Sequence, residues 1–579
     1  MNLPMPSLAL RTSFLAALLS LAALPAQAPD SLADKIVKAG IEDSRVMDFQ
    51  DVLCHDFGSR LTGSQAFLKA AEWARDEFAK MGLDARLEQW GEWQVSWDRE
   101  QWMGRIVEPI GLELQVASPA WTGSTRGIAR GTFVRMPMDD AQLAALRART
   151  DAGESLWVWG AMSRKAEDAA VRDGVQALLD SGKLLGIAQS ATSTGWNDKN
   201  YENQIRVFGD SRRAMRPYEE RPRWAHAVVR DDQSAQIEAL LADNKPVVAE
   251  FELRNRFRPG PVPLYNVVAD LKGTKYPDDV VIVCAHLDSW HQATGATDNG
   301  TGTCSTLETA RILTSAGAKP KHTIRFILWG GEEQGLLGSR QYVVQHRTQM
   351  HRVSAVFNHD SGTNWAQSLG IAESHAADFE AIIKPLLARL KSPEDGFKEP
   401  VFELRPSKVM QPAGGGSDHA SFAAVGVPAF SWGLRGEVPY ARGWHSQWDT
   451  ISIVVPQYQK HNATTFALVA FGVADLDHSL SREGVERAKP GGAVNAQLII
   501  ETWLGVELDE LTVKTVAKDG LAAAAKLKAG DVLTAVGATP TADTPSFLAA
   551  LRALAGEAKP LAVTAKRGGK QIETVLGGK

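Results

Sequence analysis

Two apolar runs decide the fold of this chain: VVIVCAHLD at residues 280–288 and TIRFILWGGEE at residues 323–333. Each run has the length of a buried strand, and each ends in histidine or carboxylate side chains. Because alternate side chains of a strand share a face, His286 and Asp288 can point the same way at the end of the first run. The two runs therefore predict neighbouring buried strands with metal-binding residues at one end.

The surrounding chain repeats this arrangement. From about Tyr265 to Leu480, apolar strands alternate with helical patterns such as residues 301–315, and a strand at residues 353–357 is followed by Asp360. Such alternation predicts an α/β fold in which a mostly parallel central sheet is flanked by helices. In these sheets, sites form beyond the carboxyl ends of the strands, where the acidic and histidine residues fall.

The composition is that of a soluble globular protein. The chain has 579 residues, 44% hydrophobic and 23% charged, with a formal net charge of -5. This length predicts about three or four domains, and the acidic balance gives no footprint for nucleic acid. The cysteines are Cys54, Cys284 and Cys304. So small and odd a number argues against a disulfide framework.

The N-terminus has the pattern of a secretory signal. Arg11 precedes an apolar run at residues 14–24, and the small-x-small sequence AQA follows at residues 26–28. The run is shorter than the roughly 20 residues that a membrane-spanning helix requires. We therefore expect residues 1–28 to be a signal peptide cleaved after Ala28, and the mature protein to be secreted or periplasmic without a transmembrane segment.

Changes of composition divide the rest of the chain. Residues 118–258 carry short strands among turns and charged segments, which predicts a β-rich domain inserted into the catalytic domain. The catalytic domain then comprises residues 29–117 and 259–480. A polar linker, residues 481–497, and a small C-terminal module, residues 498–579, follow it.

The C-terminal module resembles a PDZ domain. It contains WLGV, then LKAGDVL at residues 527–533, then a helical pattern at residues 545–555. The resemblance implies a loop that captures the terminal carboxylate of a peptide added as a strand. A packing module that binds nothing is the alternative. The loop residues are Trp503, Leu504, Gly505 and Val506.

Further segments place metal-binding side chains at predicted strand ends. Asp298 lies among glycines just before a helix, where backbone can approach an ion closely. Each motif alone is more often a turn or solvated surface, but their recurrence at strand ends in this order is specific. The motifs are His286-Leu287-Asp288, residues 295–302, Glu332-Glu333, residues 358–362 and residues 443–450.

These motifs resemble peptidase family M28, the co-catalytic zinc exopeptidases. The turn at residues 58–64 and the insert at residues 118–258 also resemble that family's early RLTGS turn and its protease-associated domain. The resemblance covers roughly residues 30–480 and implies a zinc exopeptidase fold that hydrolyses peptides. The matching segments are residues 286–290, 295–300, 329–335, 358–362, 415–419 and 445–450.

Carried over position by position, the resemblance implies two zinc ions per chain. Asp298 would be the carboxylate that bridges them. His286 and Asp360 would bind one ion, and Glu333 and His445 would bind the other. Histidine and carboxylate ligands suit zinc.

The resemblance also implies supporting roles. Glu332 would be the general base that takes a proton from the attacking water and passes it to the leaving amine. Asp288 is expected to orient His286, and Asp449 to do the same for His445, because a carboxylate behind a ligating imidazole fixes its tautomer.

The substrate side departs from the family at one position. Several members have a tyrosine just before the last histidine ligand, whereas this chain has Trp444, whose indole N–H lacks the acidity of a phenol. Tyr440 is the nearby substitute for stabilising the oxyanion. Ser417, Asp418 and His419 are expected to shape the substrate pocket.

Other functions fit parts of the sequence. Ser417-Asp418-His419 has the residue types of a serine hydrolase, but these are adjacent and no Gly-x-Ser-x-Gly elbow occurs. A nucleophile at Cys284 or Cys304 is a weaker alternative. A non-catalytic peptide receptor, or a single-zinc amidohydrolase or cyclase, also stays open, although the complete ligand set favours two ions.

The function predicted is thus an exported dizinc exopeptidase of dipeptides or short peptides. The sequence leaves open whether it acts as an aminopeptidase or as a carboxypeptidase or dipeptidase. We also expect the insert to border or cover the cleft and to aid formation of a homodimer.

Overall fold

The structure is a computed structural model, and it describes residues 31–163, 165–195, 197–410, 416–485, 500–501, 504–516, 521–554 and 561–576. The predicted signal peptide and Trp503 lie outside these residues, and so does most of the predicted linker. Within the described ranges, no helix is both long enough and apolar enough to cross a membrane.

One large sheet runs through the catalytic part and the insert. Its strands are β1 (Asp84–Glu108), β2 (Leu112–Leu114), β3 (Val116–Ala117), β4 (Ala129–Arg135), β5 (Leu156–Trp159), β6 (Gly186–Ser190), β7 (Ala225–Val229), β8 (Val248–Leu271), β9 (Tyr276–His286), β10 (His322–Trp329), β11 (Val353–Asn358), β12 (Trp365–Ala372), β13 (Glu403–Ser407) and β14 (Ala429–Arg435). They lie in the order β13-β12-β14-β11-β9-β10-β8-β4-β5-β6-β7-β3, with β1 paired to β8 and β2 paired to β1.

The centre of the sheet is parallel and buried. The four strands β14, β11, β9 and β10 run parallel to one another, and β8 and β12 flank them in antiparallel orientation. β9 is buried from Val280 to His286, and β10 is buried except at Arg325. Helices on both faces account for such continuous apolar runs. The predicted α/β class, with a mostly parallel central sheet flanked by helices, is confirmed.

The helices of the catalytic part cover this sheet. The predicted helix at residues 301–315 is α7, which packs against α12 and β9. The helices are α1 (Leu32–Ile41), α2 (Val46–Val52), α3 (Gln65–Lys80), α4 (Asp140–Asp151), α5 (Ala169–Asp180), α6 (Asp231–Ala242), α7 (Thr301–Ser315), α8 (Leu337–Gln345), α9 (Ala376–Leu387), α10 (His419–Ala423), α11 (Tyr440–Gly443) and α12 (Pro456–Ala474).

A long two-stranded ribbon joins the catalytic part to the insert. β1 and β8 pair in antiparallel register from Asp84 opposite Asp270 to Glu108 opposite Val248. The end of β8 pairs with β10 in the central sheet, and its start pairs with β4. Because β8 belongs to both parts, the insert and the catalytic part share one continuous hydrogen-bonded sheet.

The insert contains more helix than the sequence indicated. Its parallel strands β4 to β7 are accompanied by α4, α5 and α6, so the expected β-rich domain is instead mixed α/β. In α4 the buried side chains are Leu143, Leu146 and Thr150. Charged residues on the exposed face hide this narrow apolar stripe in the sequence. The predicted domain boundaries stay predictions.

The C-terminal module forms a separate sheet in the order β15-β16-β17-β19-β20, with β18 paired to β17. Helices accompany it. Its elements are β15 (Val506–Asp509), β16 (Thr512–Val516), α13 (Leu521–Ala524), β17 (Val532–Val536), β18 (Thr539–Pro540), α14 (Thr544–Leu554), β19 (Leu561–Arg567) and β20 (Lys570–Leu576). Its likeness to a PDZ domain stays a prediction.

Candidate metal centre

The predicted metal ligands meet at the carboxyl edge of the central sheet. His286 is the last residue of β9, and Asp360 lies just beyond β11. Glu332 and Glu333 follow β10 after a turn at Gly331, whose φ of 77° favours glycine. The other two ligands come from loops: Asp298 lies in the irregular turn Ala296–Gly300 before α7, and His445 follows α11.

Asp298 lies between the two histidines. Its Oδ1 is 3.2 Å from Nε2 of His286, and its Oδ2 is 3.0 Å from Nε2 of His445. The side chain is buried, with 3% of its surface exposed. Burial alone would raise the pKa of Asp298, but its hydrogen bonds to His286 and His445 lower it below its ordinary value. The carboxylate therefore stays charged between the two rings.

The remaining donors form a group around each histidine. Nε2 of His286 lies 3.3 Å from Oδ1 of Asp360 and 3.9 Å from Oε2 of Glu332. Nε2 of His445 lies 2.9 Å from Oε2 of Glu333. The structure thus brings together all five predicted ligands and the predicted general base.

The donor set fits metal ions. Two sets of donors, His286 with Glu332 and Asp360 and His286 with Asp298 and Glu333, each have their ligand atoms within 4.8 Å of one another. Burial opposes a charged imidazole, but the carboxylates of Asp360 and Glu332 raise the pKa of His286 well above its ordinary value. Such a concentration of negative charge attracts cations, and mixed imidazole and carboxylate donors suit zinc.

Asp288 acts differently from the expectation. The group that meets Nδ1 of His286, at 2.8 Å, is the backbone carbonyl of Asp288, whereas the carboxylate is 3.7 Å away. That carboxylate accepts the Oγ1–H of Thr62 at 2.9 Å and the backbone N–H groups of Glu332 and Glu333, each at 3.2 Å. Its side chain therefore positions the turn that carries the two glutamates.

The expectation that Asp449 orients His445 is wrong. The Asp449 carboxylate instead accepts the N–H and Oγ1–H of Thr297, at 2.6 and 2.7 Å, and the N–H of Asp298 at 3.1 Å. The Asp449 carboxylate therefore holds the turn that carries Asp298, since three donors of that turn hydrogen-bond to it. Burial raises the pKa of Asp449 to about 7.

Arg60 was not recognised as a functional residue from the sequence. It is fully buried, and its guanidinium donates to the carbonyl oxygens of Gly58, Leu287, Thr294 and Gly295 at 2.6–2.9 Å. Three of these carbonyls, those of Leu287, Thr294 and Gly295, belong to the segments that carry Asp288 and Asp298. An arginine in a polar turn gives no sequence signal of burial, so this role appears only in the folded chain.

The insert contacts the loop of His445. The Phe208 ring lies 5.1 Å from the His445 ring and 5.2 Å from that of Trp290. Trp444 stacks on His445 with ring centroids 4.0 Å apart, and the Arg206 guanidinium lies over Trp444. Trp444 therefore packs along the imidazole, and the insert forms one wall beside the predicted ligand.

A cleft of about 420 Å³ opens over the ligands. The Tyr440 hydroxyl lies in it, 3.4 Å from Oδ1 of Asp360, and burial raises its pKa well above the ordinary value. The lining comprises Asp298, Glu332, Glu333, Gly335, Leu336, Arg340, Asp360, Gly416, Ala420, Ser421, Tyr440, Trp444 and His445.

Ser417, Asp418 and His419 lie behind this lining, contrary to the expectation that they shape the pocket. Ser417 accepts a hydrogen bond from the Asn358 amide at 2.8 Å, and Nδ1 of His419 lies 3.4 Å from the same nitrogen. Burial raises the pKa of Asp418 to about 8. The segment reaches the cleft through Gly416, Ala420 and Ser421 instead, because α10 turns its other face inward.

Neither nucleophile alternative is supported by the structure. Ser417 hydrogen-bonds the Asn358 amide, which cannot act as a base. Cys284 and Cys304 are buried, and burial raises the pKa of both thiols well above the ordinary value, which keeps them protonated.

The predicted carboxylate loop of the C-terminal module is described in part. Leu504 and Val506 are buried, and the Gly505 N–H donates to the Glu501 carbonyl at 2.8 Å. Gly505 has a φ of 68°, which suits a glycine in a tight turn. Trp503 lies outside the described residues.

The fold and the site together define a zinc metallopeptidase. Residues 266–470 match the family model described as peptidase family M28. That segment contains His286, Asp298, Glu332, Asp360 and His445. The chain therefore contains a peptidase M28 domain.

Curated relatives and solved structures agree with this assignment. A Mus musculus protein named carboxypeptidase Q is 26% identical over 440 residues, which cover 74% of this chain and 86% of the relative. The Rattus norvegicus protein of that name is 35% identical over 219 residues, covering 38% of this chain and 43% of the relative. A peptidase M28 precursor from Shewanella amazonensis SB2B shares the fold, with a TM-score of 0.53, 23% identity, and coverage of 78% of this chain and 97% of that chain.

Proposed function

We propose that the protein is an exported exopeptidase that uses two zinc ions to hydrolyse dipeptides or short peptides. The observation that carries this proposal is the position of Asp298, with one carboxylate oxygen 3.2 Å from His286 and the other 3.0 Å from His445. A carboxylate that faces two groups of donors suits two ions that share it. A single zinc ion would leave one of these two groups of donors without a metal ion.

The ligand roles proposed from the family follow this division. His286 and Asp360 would hold one ion, Glu333 and His445 the other, and Asp298 both. When bound, the ions would supply Lewis-acid polarisation of the scissile carbonyl and of the attacking water. Arg60, Asp288 and Asp449 would keep the ligand-bearing turns in place through hydrogen bonds.

Glu332 is proposed as the general base. It lines the cleft, and burial raises its pKa well above the ordinary value, so that the carboxylate can accept a proton from water and return it to the leaving amine. The Tyr440 hydroxyl also lines the cleft and is proposed to donate to the oxyanion. Trp444 is the weaker candidate because its ring stacks on His445.

Several features support the rest of the proposal. The N-terminal apolar run and its small-x-small site support export. The contact of Phe208 with His445 supports an insert that borders the cleft. The relative named carboxypeptidase Q supports cleavage at a peptide end. A protease-associated origin of the insert, a homodimer, and peptide binding by the PDZ-like module remain further proposals.

The substitution Glu332→Gln tests the enzymatic part. It should lower kcat by about 10²- to 10⁴-fold, because a general base contributes that much. Zinc content and thermal stability should stay near those of the wild type, because the amide keeps the size of the carboxylate. The assay uses a panel of unblocked dipeptides with zinc-loaded protein.

Glu373→Gln is the matched control, since Glu373 is an exposed glutamate outside the cleft. It should keep wild-type turnover. Near wild-type turnover of Glu332→Gln would remove Glu332 from the mechanism. A folded wild-type protein that binds peptides but holds no zinc would favour the receptor alternative.

A further inference from the structure

Arg340 places a cation in an otherwise acidic cleft. It lies in α8, a few residues after Glu332 and Glu333, and lines the same cleft as the two glutamates. Asp298 and Asp360 complete the carboxylates of the lining. Among the described residues of that lining, Arg340 alone carries a guanidinium or ammonium group.

Arg340 carries a buried N–H donor that lacks an acceptor among the described residues. Its Nε atom is buried and has no hydrogen-bond partner in the described part of the chain. By contrast, Arg325 binds Asp270 and Arg311 binds Glu308, each at 2.7 Å. A buried N–H without an acceptor is unfavourable. Arg340 is therefore available to a ligand that enters the cleft.

We propose that Arg340 binds a carboxylate of the substrate, and this inference rests on the proposed peptidase function. A guanidinium matches a carboxylate with parallel N–H donors, and such charge-assisted bonds are stronger than neutral ones. Zinc ions at the proposed sites would offset the charge of the carboxylates in the lining, so Arg340 is the side chain of the lining that attracts a negative group of the substrate. For a dipeptide, that group is the free C-terminal carboxylate.

The carboxylate that Arg340 binds is either the C-terminal one or that of an acidic side chain, and suitable substrates distinguish the two. A terminal carboxylate is present in Ala-Ala and absent from Ala-Ala-amide, whereas Ala-Glu-amide carries a carboxylate only on its side chain. Wild-type kcat/KM should favour the free acid over Ala-Ala-amide by about 10- to 100-fold, which is the ratio that a charged hydrogen bond supports. A preference for Ala-Glu-amide over Ala-Ala-amide would assign the side-chain carboxylate instead.

Arg340→Gln should bring the acid-to-amide ratio close to one, and Arg340→Lys should keep part of it because an ammonium retains the charge. The control Arg442→Gln removes an exposed guanidinium near the loop of His445, outside the lining, and should keep the wild-type ratio. Zinc content and melting temperature are measured for each variant. A ratio in Arg340→Gln equal to that of the wild type would overturn the inference.

A binding measurement separates this inference from the proposed function. The probe is an alanyl-alanine analogue in which CH₂–NH replaces the scissile amide, titrated as free acid and as amide into zinc-loaded protein. Loss of the acid preference in Arg340→Gln supports the role of Arg340 even if no dipeptide is hydrolysed, which would count against the peptidase alone. Equal affinity of the wild type for acid and amide would overturn the role of Arg340.

Discussion

At the scale of single residues, Arg60, Asp288 and Asp449 act on the ligands through backbone atoms. Arg60 donates to four carbonyl oxygens, and Asp288 and Asp449 accept N–H groups from the ligand-bearing turns. Each of these side chains is buried. The geometry of the predicted ligands therefore depends on buried side chains that are not themselves predicted ligands.

Arg60→Lys should destabilise the protein and weaken zinc binding. An ammonium cannot reach all four carbonyl oxygens, and each buried acceptor left without a donor costs about 1–3 kcal/mol. We expect a loss of about 2–4 kcal/mol in the free energy of unfolding by urea denaturation, with lower zinc content after dialysis.

Arg45→Lys is the control, because 58% of the Arg45 side chain is exposed. It should change stability by no more than about 0.5 kcal/mol. Equal stability of Arg60→Lys and Arg45→Lys would show that the four carbonyl contacts do not hold the turns.

At the scale of elements, the segment before β7 in the insert holds the loop that follows α11. The Ile205 N–H donates to Oε1 of Gln447 at 2.9 Å, and Nε2 of Gln447 donates to the Asn203 carbonyl at 2.7 Å. His445 has a φ of 55°, an uncommon conformation for a residue other than glycine. Contacts from the insert therefore help to hold the histidine in a strained position.

Phe208→Ala should weaken zinc binding by about 10- to 100-fold. The aromatic contacts of the Phe208 ring include those with His445, Trp290 and Trp444, and each such pair contributes about 0.5–1.5 kcal/mol. Zinc affinity is measured by competition with a chromophoric chelator.

The matched control is Phe133→Ala, in the same insert, whose ring packs against Trp159 and Phe251 in a different cluster. It should leave zinc affinity within about twofold of the wild type, since a residue outside the network does not couple to it. Unchanged affinity in Phe208→Ala would mean that the insert only covers the loop.

At the scale of the whole molecule, the proposed zinc sites join segments that are distant in the chain. β9, β10 and β11 and the loops before α7 and after α11 all supply donors. The carboxylates that meet there repel one another without a cation: burial raises the pKa of Glu333 to about 7, and the charge of Asp298 adds to this effect. Zinc should therefore stabilise all of these segments together in the native state.

Removal of zinc should abolish hydrolysis and lower the melting temperature, and added zinc should restore both. Zinc at a hundred times its Kd stabilises the native state by about 2.7 kcal/mol per site. His445→Ala should hold one ion fewer than the wild type, by elemental analysis. His478→Ala, with 59% of the histidine side chain exposed, should hold the wild-type number. A melting temperature that does not respond to zinc would contradict the proposed centre.

The sequence by itself determined the class of fold and the candidate ligands. Residue type and periodicity are local properties, so the runs at residues 280–288 and 323–333 predicted both buried strands and the polar residues at their ends. The parallel sheet then brings such ends to one edge. Helices α4, α5 and α6 were missed, and the apolar stripes of α4 and α6 are narrow.

Only the tertiary structure decided which groups face each other. Asp449 meets Thr297 across 152 positions of the chain, and Arg60 meets Leu287 across 227. No local pattern encodes such pairs, because they depend on how turns pack after the sheet has formed. For the same reason Arg340 became a candidate for substrate binding only when the structure placed it in the cleft of the predicted ligands, with its Nε buried and without an acceptor in the described part of the chain.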